Sequence, residues 1–97
     1  MPLFALIGHD HPLGLKRRQS HQAAHREHMA KLDAGSRLRY GGPLINEQEE
    51  MVGSLIILEA NNLDEAKTIY AEDPYIIHNV FERYEVIETK QIFPRGN

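Results

Sequence analysis

Ser54-Leu55-Ile56-Ile57-Leu58-Glu59, residues 54–59, reads SLIILE and is the clearest buried strand in the chain. A second run, Leu3-Phe4-Ala5-Leu6-Ile7, has the same character and is ended by Gly8 and the polar His9-Asp10-His11-Pro12, which read as a loop. These are the longest apolar stretches, and both are far too short to span a membrane. What lies between and after them decides the architecture.

From about Arg18 to Ala34 there is no Gly or Pro, and Ala, Gln, Glu, Met, Lys and Leu dominate, which favours a helix. Residues 13–17 read as a loop or helix entry, and Gly35 as the terminator. Arg37-Leu38-Arg39-Tyr40 alternates as a strand that Gly41-Gly42-Pro43 stops, and the acidic segment from Ile45 to Met51 leads into SLIILE. Beyond it, Asn62 followed by Glu65 resembles a capping box, with Leu63, Ala66, Ile69 and Tyr70 at helical spacing. Asp73-Pro74 ends that helix, because proline pushes the preceding residue out of the α region. A short helical turn is expected over Tyr75 to Asn79, then a last strand from Tyr84 through Thr89 to Phe93.

The order β-α-β-β-α-β has no internal repeat and no linker. It predicts an α+β, ferredoxin-like domain over residues 1–97: a four-stranded antiparallel sheet with two helices on one face. Ninety-seven residues leave no room for a second core. The other sheet face would carry residues of both apolar runs, too apolar to leave in water, so a second copy of the chain is expected to cover it.

Composition narrows the function. Fourteen acidic residues against 11 Lys and Arg give a net charge of −3, and the only basic run is Lys16-Arg17-Arg18, so no nucleic-acid surface is expected. Without cysteine there is no disulfide, thiol nucleophile or thiolate metal site. Met1-Pro2-Leu3 carries no basic segment before its apolar residues, so the expectation is a cytoplasmic protein with no membrane partner.

The first helix holds SHQAAHREHM, residues 20–29. At about 100° per residue, His21, His25 and His28 extend the stripe made by Ala24, Met29 and Leu32, which is the sheet-facing stripe. Histidines there must find hydrogen-bond partners or line a pocket. HQAAH is one residue from the HExxH of zinc hydrolases, but Gln22 cannot act as the general base and no third ligand with its own spacing is visible. No metal and no other cofactor is expected. Divalent-metal binding through His21, His25 and His28 remains the weakest of three functional readings.

Asp10, Leu15, Arg18, His25, Gly42-Pro43 and Asp73-Pro74-Tyr75 follow one another in an order and spacing that resembles the YciI-like (YCII-related) family. The resemblance spans residues 3 to about 93. It departs at two positions: Gln22 stands where an arginine is common, and Arg26 where a leucine is. The resemblance implies a ferredoxin-like subunit in a dimeric α+β barrel. It also implies an active site that pairs the helix-1 histidine, His25, with the aspartate of the D-P-Y turn, Asp73. Assigned activities among such proteins include dehydrochlorination of a chlorinated hydroxyhydroquinone, and similar barrels include muconolactone isomerase.

A His–Asp pair is a proton-transfer device: the carboxylate sets the imidazole tautomer and raises its basicity. That suffices for isomerisation or for elimination of a good leaving group. The first reading is therefore a cofactor-independent enzyme acting on a small phenolic or anionic organic molecule. His25 would serve as base or acid and Asp73 as orienter, with Arg18, Gly42, Pro43 and Tyr75 as substrate contacts. The second is a non-catalytic homodimer that binds a metabolite or assists a partner protein. Each residue also has a structural role to play. Asp73 before Pro74 is a natural helix N-cap, His25 can be a satisfied histidine, and Arg18 can be a surface salt-bridge residue.

Overall fold

The two apolar runs pair with one another at the centre of a four-stranded antiparallel sheet. The computed structural model describes residues 1–94; residues 95–97, the end of the expected domain, lie outside it. The chain runs β1 (Leu3–Asp10), α1 (Gly14–Ala34), β2 (Leu38–Ile45), β3 (Met51–Glu59), α2 (Leu63–Ala71), the four-residue α3 (Pro74–Ile77) and β4 (Phe81–Thr89). Strand order is β2-β3-β1-β4, with every neighbouring pair antiparallel. This is the ferredoxin-like α+β arrangement, with α3 as an extra turn between α2 and β4.

Register assigns the two faces. Phe4 opposes Leu58 and Leu6 opposes Ile56, while Ala5 opposes Ile57 and Ile7 opposes Leu55. Phe4, Leu6, Ile56 and Leu58 form the core with Ala66, Tyr70, Tyr75 and Val80, and Met29, Leu32 and Ile69 pack against it. Both long helices therefore cover the same face, and each fully buried large side chain there contributes roughly 1.5–3 kcal/mol. The Tyr70 hydroxyl points at the carbonyls of Phe4 (2.8 Å) and Ile56 (3.1 Å), tying α2 to both central strands. On the opposite face Ile7, Leu55 and Ile57 are half-buried and Ile87 is 51 % exposed, with no helix over them among the described residues. None of the described helices is long and apolar enough to cross a membrane.

Several boundaries differ from the sequence reading. His9 and Asp10 belong to β1 rather than a loop, and α1 begins at Gly14. Asp10 is a poor strand residue by propensity, but Arg18 holds its carboxylate there through two bonds of 2.8 Å. Gly14 has no side chain where a Cβ would meet the Asp10 Cβ at 2.8 Å, so the helix can start directly over that carboxylate.

Gly41, Gly42 and Pro43 do not stop β2 but lie within it, opposite Ile56, Leu55 and Ser54. β2 is an edge strand, where a proline's missing N–H is tolerated, and Gly41 leaves room for the Met29 methyl of α1. Gly35 follows α1 with φ −81°, and the left-handed residue is Ser36 at φ 59°. β4 starts at Phe81 and ends at Thr89, short of Phe93.

Candidate active site

The inward stripe of α1 is largely polar. Gly14 and Arg18 are buried, and His21, His25, His28, Met29 and Leu32 are half-buried, whereas Ala24, expected on this stripe, is exposed. Such a helix is held by specific polar contacts more than by apolar packing, and those contacts converge on α3.

Asp73 precedes Pro74 and takes the N-cap position, its Oδ1 accepting the Tyr75 backbone N–H at 2.9 Å. Its side chain is aimed across at α1, where His25 Nδ1 lies 2.8 Å from Oδ1 and 3.0 Å from Oδ2. Capping and pairing therefore coexist on one carboxylate that is only 1 % exposed. An ionised carboxylate only accepts, so Nδ1 is the donor in this contact, and in an imidazole with one proton the lone pair lies on Nε2.

Tyr75 follows directly and stacks its ring on His25, with centroids 3.8 Å apart and planes 4° from parallel. Its edge meets Phe81. Burial pushes the Tyr75 hydroxyl above the ordinary phenol range; Arg18 and Arg26 pull it back and Asp73 reinforces the rise. The phenol is thus a protonated donor at neutral pH.

Arg18 is 5 % exposed and is no surface residue. Its Nε and Nη2 grip both oxygens of Asp10, and Nη2 also lies 2.9 Å from the Gly53 carbonyl and the Ser54 hydroxyl. The guanidinium sits 5.2 Å from the Tyr75 ring centre and 5.7 Å from that of Phe81, distances at which a cation is attracted to an aromatic face. None of the four hydrogen bonds uses Nη1.

These side chains border a cavity of about 510 Å³ between α1, β2 and β3. Arg18, His25, Gly42, Pro43 and Tyr75 all line it; Asp73 stands behind His25 and does not. The lining also includes residues the sequence reading had not placed there: Gln22, Arg26, Met29 and Asp33 from α1, and Met51, Ser54 and Ile56 from β3. The α1 members were recoverable in principle, since 18, 22 and 26 repeat at one helical turn. The β3 members depend on the fold and have no local signal.

The remaining histidines sit apart. His21 stacks on His78, the first residue after α3, with centroids 3.7 Å apart. His28 has a buried Nε2 with no partner among the described residues. No group of three or more His, Asp or Glu close enough to hold a metal occurs among the described residues. Leu15 is exposed, away from the cavity lining.

Comparison with known proteins agrees with the fold in outline. A solved structure of 5-chloro-2-hydroxyhydroquinone dehydrochlorinase from Burkholderia phenoliruptrix AC1100, in complex with 2,5-dihydroxybenzoquinone, superposes with a TM-score of 0.79 at 29 % identity, covering 91 % of this chain and 93 % of that one. An uncharacterized NIPSNAP domain protein from Burkholderia xenovorans has a TM-score of 0.54 at 8 % identity over 100 % of both chains, which speaks to the fold alone. No curated protein matches. The model of the YCII-related domain matches residues 2–90, nearly the whole chain, which therefore belongs to the YCII-related family.

Proposed function

We propose that the chain is a small-molecule enzyme in which His25, oriented by Asp73, performs general acid–base chemistry on a phenolic or enolisable organic compound. The carrying observation is the 2.8 Å contact of His25 Nδ1 with Asp73 beside a cavity that His25 lines. Nε2 would take a proton from a carbon or hydroxyl conjugated to a carbonyl. The electron pair left behind delocalises onto oxygen as an enolate or phenolate. That anion then either takes a proton at a different carbon, which is isomerisation, or expels a leaving group with its bonding pair, which is elimination. The similar dehydrochlorinase supports the second outcome and an intermediate of aromatic degradation as substrate.

The test is turnover of chlorinated and unchlorinated hydroxyhydroquinones by the purified protein. His25→Ala should lower kcat by about 10²- to 10⁴-fold, with the melting temperature little changed. Equal activity in His25→Ala and wild type would remove the proposal.

A second reading has its own observation: the same two residues fasten α3 to α1, since Asp73 caps Tyr75 and His25 stacks upon it. In that case the protein binds a metabolite without transforming it. His25→Gln, which keeps a polar contact but cannot shuttle a proton in the same way, would then retain full function.

The reading also includes a homodimer through the bare sheet face, centred on Ile57 and Ile87. Leaving these apolar side chains in water is unfavourable, and a self-complementary sheet face is a common solution. Light scattering should give twice 11.1 kDa, and Ile57→Asp should yield monomer. A stable wild-type monomer at micromolar concentration removes this part.

A further inference from the structure

We propose that Arg26 determines specificity in this cavity by holding an acidic, conjugated oxygen of the ligand, a phenolate or enolised quinone oxygen, next to the Tyr75 hydroxyl. The inference rests on the proposed reading of the cavity and narrows its ligand to compounds that carry such an oxygen in ionised form.

Arg18 is matched by Asp10, and the Asp73 carboxylate stands behind His25 and outside the lining, so neither leaves a free cation in the wall. Arg26 is different. It lines the cavity, is exposed, and makes no salt bridge or side-chain hydrogen bond among the described residues. Tyr75 lines the same cavity, and Arg26 helps Arg18 to pull the pKa of its hydroxyl down. The lining carboxylate, Asp33, lies seven residues further along α1, roughly 10 Å away at 1.5 Å per residue. Among the described lining residues, Arg26 is thus the cation without a carboxylate partner at the end of the cavity that holds His25.

Donors complete the picture. Burial keeps the Tyr75 phenol protonated, so it can donate to an anionic oxygen. A guanidinium offers paired N–H donors in a plane, which suits the adjacent oxygens of a flat conjugated acid better than an ammonium would. Met29, Pro43 and Ile56 supply apolar walls for a ring. An oxygen bound between Arg26 and Tyr75 places its ring against His25, and charge that builds on the oxygen as His25 removes a proton meets a cation already in place.

Two probes separate charge from shape. 2,5-Dihydroxybenzoquinone is a vinylogous acid, ionised at neutral pH; 2,5-dimethoxybenzoquinone has the same ring and no acidic proton. Titration calorimetry of the wild type should show tighter binding of the first. Arg26→Gln should raise its Kd by about tenfold or more, the effect of one charge-assisted hydrogen bond. The dimethoxy compound should bind within about twofold of its wild-type Kd, and Arg26→Lys should fall between wild type and Arg26→Gln for the acid. Because Arg26 is exposed and unbonded, the variants should melt with the wild type.

Failure of the acid to bind wild type, an unchanged Kd in Arg26→Gln, or equal weakening of both probes overturns the inference. Arg26-dependent binding without any turnover keeps it and removes the proposed chemistry. Turnover with Arg26-independent binding does the reverse.

Discussion

Both oxygens of Asp73 lie within 3.0 Å of His25 Nδ1, and Oδ1 also takes the Tyr75 N–H. Two substitutions pull these tasks apart. Asp73→Asn keeps Oδ1 for the Tyr75 amide but removes the carboxylate's charge and sets an NH₂ beside Nδ1, which favours the imidazole with its proton on Nε2. That is the wrong tautomer for a base, so kcat should fall by about 10²- to 10⁴-fold while stability drops by no more than about 1 kcal/mol. Asp73→Ala removes the cap as well and strands a buried N–H, adding about 1–2 kcal/mol of destabilisation; urea unfolding of the three proteins measures the difference. Asp73 and His25 could be named from the sequence because the series that contains them, from Asp10 to Asp73-Pro74-Tyr75, resembles the YCII-related family. The setting of Arg18 could not. Its partners Gly53 and Ser54 lie 35 and 36 residues away on β3, and nothing in the sequence around Lys16-Arg17-Arg18 separates a buried bidentate arginine from a solvated one.

At the level of elements, the end of α1 shows how a sound signal can be displaced by one residue. Gly35 is the natural C-terminal signal, yet the left-handed position falls on Ser36. The Arg37 amide reaches the Leu32 carbonyl and the Ser36 amide that of Asp33, the two bonds of a Schellman turn with serine where glycine is usual. Ser36→Gly should therefore stabilise the protein by about 0.5–1 kcal/mol, since a side chain at positive φ costs about 1–2 kcal/mol and the added freedom of glycine in the unfolded chain takes back about 0.5–1 kcal/mol; a rise in melting temperature checks it. Unchanged or lower stability would mean that the entropy of the added glycine outweighs the relief. The α2 start was easier to read, because Asn62 Oδ1 does accept from the Glu65 amide, a contact between near neighbours. β2 was not, because Gly41-Gly42-Pro43 has the composition of a turn and becomes a strand only by lying on the sheet edge against β3.

For the molecule as a whole, the Tyr70 hydroxyl is the most consequential titratable group outside the cavity. Burial raises its pKa far above the ordinary phenol value, with a backbone hydrogen bond opposing the rise. Above about pH 10 the unfolded chain loses this proton and the folded one keeps it. The native state then binds more protons, so stability is intact below about pH 10 and falls above it, by at most about 1.4 kcal/mol per pH unit for this one group. In Tyr70→Phe, stability at neutral pH should be lower by about 1–2 kcal/mol, and the gap to wild type should close between about pH 10 and 11.5; urea midpoints across that range test it. A larger consequence follows from how far apart along the chain the groups sit that tie α1 to β3 and to the turn around α3. His25 and Asp73 are 48 residues apart, Arg17 and its acceptor Asn79 are 62 apart, and Arg18 and Ser54 are 36 apart. Each link closes a long loop, whose entropy must be overcome before the contact forms. The four residues of α3 are too few to hold a helix unaided, so the turn that carries Asp73 and Tyr75 depends on its contacts with α1 and with the end of α2. The site is thus open to local unfolding: a chain that keeps its sheet but lets α3 lift from α1 retains most of its structure and loses the contact of His25 with Asp73.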